Sequence, residues 1–158
     1  LFAGALLQDK AIPLLLRELP HEYETLVRRR SSEGRRLSSF EREMFGWDHA
    51  DAAAMLAKQW NLLADFVTLI SQHTRLSELL CDGQGDLGAA CVALGSLLPS
   101  CVDQGWGERE EFMHGFSALT GRTVDDLESI FIEVDQGTNE FAPILNLPAP
   151  KVALVDLL

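Results

Sequence analysis

"EREMFGWDHADAAAMLAKQWNLLADFVTLISQHT", residues 41–74, decides the fold of this 158-residue chain. Gly46 stops one short helix, and Asp48 is placed to cap the next, with Asp51 three residues on where a carboxylate suits the helix dipole. Ala50, Ala53, Ala54 and Ala57 form a small-residue face that admits a neighbouring helix. His49, Ala53, Leu56 and Trp60 make the adjoining stripe. Leu63, Phe66, Val67, Ile70 and His73 then recur at helical spacing. Two histidines therefore fall on inward-facing edges.

The same period extends outward. "LLQDKAIPLLL", residues 6–16, is apolar but broken by Gln8-Asp9, so one helix ends before Asp9 and another begins after it. Pro13 is tolerable only in a first turn, where N–H groups lack partners. Tyr23, Leu26 and Val27 share a face of the next helix, and Ser38 or Ser39 is the expected cap of the one after it. "CDGQGD", residues 81–86, reads as a loop. Leu87, Ala90, Cys91, Leu94, Leu97, Leu98 and Cys101 mark an amphipathic helix ending near Gly105. Gly121 ends another helix, and Thr123 caps a last one with Leu127, Ile130, Phe131 and Val134 inward. Strand alternation is nowhere sustained. The expected fold is an all-α, irregular multi-helix bundle. Its domain spans 1–142, and the Pro-punctuated tail 143–158 is extended with one short final helix.

Composition narrows the function. Residues 1–50 balance eight acids with eight bases, and the whole net charge of −11 lies in the remainder. Such an acidic body disfavours nucleic acid, whose binding is driven by Lys and Arg on phosphates. No apolar run reaches the roughly 18 residues a membrane span needs, and no signal peptide leads the chain. Three cysteines without a Cys-x-x-Cys fit a reducing cytoplasm, with Cys91 and Cys101 as core residues. The "RRRSSEGRR" run supplies Arg28, Arg29, Arg30, Arg35 and Arg36, a candidate anion-binding group whose plainer reading is a solvated helix end. Trp47, Trp60 and Trp106 read as packing anchors.

Asp9, His49 and His73 are the ionisable groups on inward faces. A carboxylate with two imidazoles suits a divalent metal, although a single inward histidine is ordinarily a core residue bonding a carbonyl. No glycine-rich phosphate loop and no Gly-x-Ser-x-Gly occurs.

Residues 1–74 resemble the HDOD domain, the HD-related output domain of bacterial signalling proteins. The family pattern runs through an apolar helix ending in His-Asp, then Ile-Gly-Lys and a helix closing on Leu-Pro. A Glu-x-Glu segment follows, leading to Phe-Gly-x-x-His, then a helix ending in Trp-x-Leu-Pro and one ending in His-His. This chain has Gln8-Asp9 for His-Asp, Lys10-Ala11-Ile12 for Ile-Gly-Lys, Leu63 for the proline and His73-Thr74 for His-His. In the catalytic HD phosphohydrolases that the family resembles in fold, His and Asp side chains bind metals that activate water. The resemblance implies that Gln8, Asp9, His49, His73 and Thr74 are vestigial metal-site positions. A further histidine of the set would lie before Leu1, as would N-terminal helices of the domain. Gln8 and Thr74 being poor ligands, too few remain for a tight catalytic centre. The expectation is a cytoplasmic, non-catalytic regulatory module without metal or cofactor, whose partners are other signalling proteins or domains. The alternative is a divergent metal-dependent phosphohydrolase acting on nucleotides or cyclic dinucleotides, and a third reading is a small-molecule sensor reusing the old pocket. Asp9 is expected to cap the helix that carries Pro13 or to pair with His49 or His73.

Overall fold

The structure, a computed structural model, describes residues 1–81, 86–100, 103, 105–144, 146–148 and 150–158. Of the loop expected at 81–86, Cys81 is instead helical and Asp86 caps the next helix, while positions 82–85 and the core place expected for Cys101 lie outside the described residues. Among the described residues the chain is helical and contains no strand, an all-α multi-helix fold of the kind the HD type requires. It divides into two compact units, Leu1–Ser96 and Leu97–Leu158.

In the first unit α1 spans Phe2–Leu7, α2 Ala11–Glu18, α3 Pro20–Glu33, α4 Leu37–Phe45, α5 His49–Gln59, α6 Ala64–Gln72, α7 Leu76–Cys81 and α8 Leu87–Gly95. Proline and glycine set several of these ends. Pro13 is the third residue of α2, and Pro20 opens α3. Gly34 and Gly46 close α3 and α4 in the left-handed conformation, at φ 65° and 78°. Helix α4 begins at Leu37 without a side-chain cap, so neither Ser38 nor Ser39 takes the expected role.

The small face of α5 lets its neighbours come close. Ala53 and Ala57 pack with Ala11 of α2 and Ile70 of α6. Gly4 serves α1 in the same way: a Cβ there would lie 2.7 Å from Leu69 Cδ1 of α6. Tyr23, Leu26 and Phe40 join α3 to α4. The outer positions differ from expectation. Val27 is exposed, as are Trp60 and Leu63, which lie at the two edges of the turn between α5 and α6. Asn61 is left-handed there, and Leu62 N–H reaches back to the Ala57 carbonyl. Lys10 Nζ lies 4.8 Å from the Trp60 ring centroid, so this tryptophan covers a cation rather than anchoring the core.

Helix α8 is the clearest correction. Ala89, Ala90, Val92 and Ala93 are buried, whereas Leu87 and Cys91 are exposed, and the helix ends at Gly95 rather than near Gly105. "LGAACVALG" is apolar or small all round, so periodicity cannot choose its buried face.

In the second unit, α9 is Arg109–Thr120 and α10 is Asp125–Ile144, followed by a 3₁₀ turn at Leu154–Leu157. Trp106, Phe112 and Phe131 form its aromatic centre, with centroids 5.1–5.9 Å apart, and Trp106 Nε1–H donates to the Leu97 carbonyl. Thr123 borders α10 through its contacts with Asp126, and Val134 turns outward. Position 142 lies inside α10, which continues through Pro143 rather than giving way to extended chain there. Asp135 accepts the Leu154 and Val155 N–H groups, tying the final turn to α10.

Candidate functional site

Three helix ends of the first unit meet at one point. Asp48 caps α5: its carboxylate accepts the Asp51 N–H, while Asp51 accepts the Asp48 N–H. That reciprocal box makes His49 the first residue of α5, with a backbone N–H that has no partner inside the helix. Glu41 supplies the partner. Its Oε2 accepts both His49 N–H, at 2.8 Å, and the ring Nδ1–H, at 2.6 Å. His73 stands at the other kind of end, the C-cap of α6, and its Nδ1–H donates to the Ile70 carbonyl at 2.7 Å. Asp9 comes from the turn between α1 and α2.

Each ring thus has Nδ1 committed as a donor, and both Nε2 atoms face a common space. They lie 3.1 Å apart, with Asp9 Oδ1 at 3.4 Å from His49 Nε2 and 3.5 Å from His73 Nε2. Two neutral imidazoles so arranged would point lone pairs at each other. Something positive must lie between them, either a proton or a cation. As a proton site, the arrangement makes His49 an imidazolium. Burial acts against that charge, but hydrogen bonds and attraction from Asp9 and Glu41 outweigh it and push the His49 pKa up to about 9. Burial would likewise raise the Asp9 carboxyl, yet its bonds to His49 and His73 and their charge hold it well below the usual carboxylate range.

The donors also fit a single divalent cation. With metal–ligand bonds of about 2.1 Å, donors at octahedral or tetrahedral angles stand roughly 3.0–3.4 Å apart. The observed separations of 3.1, 3.4 and 3.5 Å lie in that range or just above it, and among the described residues Asp9, His49 and His73 form a group of donors suited to a metal. The histidines are buried, whereas the Asp9 side chain is 55 % exposed and opens the cluster to solvent. Two imidazoles and a carboxylate suit zinc, iron or manganese.

Of the expected site residues, the structure brings Asp9, His49 and His73 together. Asp9 pairs with both histidines, and the cap of α2 is Lys10 without a side-chain bond, so the capping alternative falls away. Thr74 is buried beside His73 but engaged elsewhere. Its hydroxyl donates to Asp48 Oδ2 at 2.9 Å and accepts from Arg42 at 2.9 Å, and Arg42 also binds Asp48. Gln8 has a buried Oε1 with no hydrogen-bond partner. Three of the five arginines face acids. Arg28 pairs with Glu24, Arg29 with Glu33 and Glu43, and Arg35 with Glu43, while Arg36 donates to Ser96 Oγ. Arg30 lies on the same α3 segment.

Sequence reasoning missed Glu41 and Tyr23. Glu41 is completely buried, and its second oxygen accepts the Tyr23 O–H at 2.6 Å. Burial, the hydrogen bond and the negative charge of Glu41 raise the Tyr23 phenol above its ordinary pKa. The available signal was positional: Glu41 lies eight residues before His49 in the segment leading to Phe-Gly-x-x-His.

Histidine and aspartate gathered at helix ends in this way are consistent with a domain of the HD type. Residues 1–76 match the family model of the HDOD domain, and the chain carries an HDOD domain there. Neither the curated proteins nor the solved structures give a match.

Proposed function

We propose that the HDOD-bearing unit is a non-catalytic regulatory module of signal transduction that acts by protein–protein contact, built round a site for one divalent cation rather than a hydrolytic metal pair. The single observation that carries this reading is the fate of Thr74. At the position where the family pattern has its second histidine, the side chain is tied to Asp48 and Arg42. A neutral hydroxyl held by a guanidinium is no ligand for a second cation. Gln8 at the His-Asp position adds to this, since an amide is a much weaker ligand than imidazole. A lone cation between Asp9, His49 and His73 then staples three helix ends together, and binding that favours one arrangement of those helices would alter the surface shown to a partner.

Its partners would be other signalling proteins or domains, and its setting the bacterial cytoplasm. No described helix is long and apolar enough to cross a membrane. The test is turnover. The full chain with added Mn²⁺ and bis(p-nitrophenyl) phosphate is expected to hydrolyse no more than buffer does. Hydrolysis abolished by His49→Ala would end the non-catalytic reading.

One observation favours a second reading, a divergent phosphohydrolase acting on nucleotides or cyclic dinucleotides: the donor triad keeps the spacing of a metal site. A cation held there would supply Lewis acidity and acidify bound water. Asp9, His49 and His73 would hold it, and Glu41 would keep the His49 ring in place. The arginines, proposed in that reading as a phosphate clamp, face carboxylates at Arg28, Arg29 and Arg35.

A further inference from the structure

Tyr23 and Glu41 belong to none of the positions at which the HD pattern carries metal ligands, yet they are among the most deeply buried side chains of the first unit. A carboxylate in such surroundings is expensive unless its lone pairs are used. Glu41 uses both oxygens: Oε1 accepts from Tyr23 of α3, and Oε2 accepts twice from His49 of α5. Tyr23 packs with Leu26 and Phe40 in one buried cluster. Stability alone gives little reason to keep this arrangement, because a buried ion pair is often replaceable by well-packed apolar residues without loss. What apolar residues cannot reproduce is direction. With Nδ1 held by Glu41, the His49 ring has one orientation, in which Nε2 faces Asp9 and His73. A carboxylate on the far nitrogen of a ligating imidazole both orients the ring and makes the near nitrogen a better donor.

We propose that Glu41, itself held by the Tyr23 hydroxyl, is the positioning residue of the cation site: it aims His49 Nε2 at the cation and strengthens that nitrogen as a ligand. The inference rests on the single-cation reading above and adds two residues to it, neither of which touches the cation.

The experiment uses the full chain in two arms. In the first, Co²⁺ is titrated calorimetrically and by its visible spectrum into the wild type, Glu41→Gln, Tyr23→Phe, His49→Ala and Leu26→Ala. Glu41→Gln keeps the shape and an acceptor for His49 but removes the charge, and is expected to weaken Co²⁺ by about 10–100-fold. Tyr23→Phe should weaken it several-fold and change the spectrum of bound Co²⁺. Leu26→Ala loosens the same core and should leave the affinity alone. The second arm follows the His49 Nδ1–H resonance by NMR in metal-free protein. It should lie far downfield and exchange slowly in the wild type, and shift upfield in both Glu41→Gln and Tyr23→Phe. If the wild type binds Co²⁺ and His49→Ala does not, but Glu41→Gln binds as the wild type does, the positioning role is overturned while the cation reading stands. Failure of the wild type to bind Co²⁺ overturns the cation reading and the ligand-strengthening half of the inference. The NMR arm then decides the orienting half, which an unmoved Nδ1–H resonance in Glu41→Gln would refute.

Discussion

The two compact units of this chain fill their interiors with different chemistry. The Leu1–Ser96 unit buries Ser38, Glu41, Asp48, His49, His73 and Thr74, whereas none of the buried side chains among the described residues of Leu97–Leu158 is polar or charged. The centre of the second unit is aromatic, with Trp106, Phe112 and Phe131 in mutual contact and Phe116 stacked on Phe112. An apolar interior needs only shape and volume. A polar interior needs a partner for each group, because an unpartnered buried group costs about 1–3 kcal/mol. For Asp48, His49, His73 and Thr74 the first unit meets that demand at helix ends, where N–H and C=O groups already lack partners. The lesson is that its buried polarity is organised around direction, and the apolar interior of the second unit around space.

Mutation can break that contrast. The largest effect is expected for Glu41→Ala, which strands the His49 N–H and ring and the Tyr23 hydroxyl. Removing one partner of a buried pair costs about 3–5 kcal/mol, read as a loss of denaturation free energy in urea. In the second unit Leu127→Ala should cost about 2–4 kcal/mol through lost burial and a cavity. That cost should not vary between pH 6 and pH 10, whereas the cost of altering the histidine cluster should.

The pH response follows from His49. Its folded pKa is raised above the unfolded value, so its contribution is fully present below about pH 6.5 and is lost as pH rises toward and through about 9. Between pH 6 and pH 10 the metal-free protein should lose about 2–3 kcal/mol of stability from this group. Glu41→Gln should flatten the profile. A profile equally steep in that variant would mean that Glu41 does not sustain the His49 charge. Asp48→Ala removes the cap of α5 and a partner of Thr74, with an expected cost of about 1–2 kcal/mol. Asp9→Asn should change stability least, by about 1 kcal/mol or less, because half of the side chain is in water. The same substitution should nevertheless reduce Co²⁺ binding, which separates the direction of the site from the stability of the fold.

Much of the first unit was legible from the chain alone. Asp48 and Asp51 announced the start of α5, Gly34 and Gly46 the ends of α3 and α4, and Pro13 a first turn. In the second unit Gly121 marked the end of α9 in the same way. These features act within one turn of helix, so their physics is complete in a few neighbouring residues. The inward placement of His49 and His73 followed from period 3.6, and their meeting with Asp9 from the resemblance to the HDOD pattern. Faces were harder. Leu87 and Cys91 looked buried and are exposed, because a helix apolar on every side carries no phase. Trp60 and Leu63 continued the inward stripes in sequence but fall at a turn where the stripes end.

By itself the sequence determined which stretches are mainly helical, several of their ends, and that His49 and His73 point inward, since each depends on contacts between residues a few positions apart. Only the tertiary structure decided that Glu41, in a segment rich in charge, is completely buried, and that Thr74 turns to Arg42 rather than toward the histidines. Whether a charge can be buried depends on the partners that other helices bring to it, and those partners lie 18 and 32 residues away along the chain.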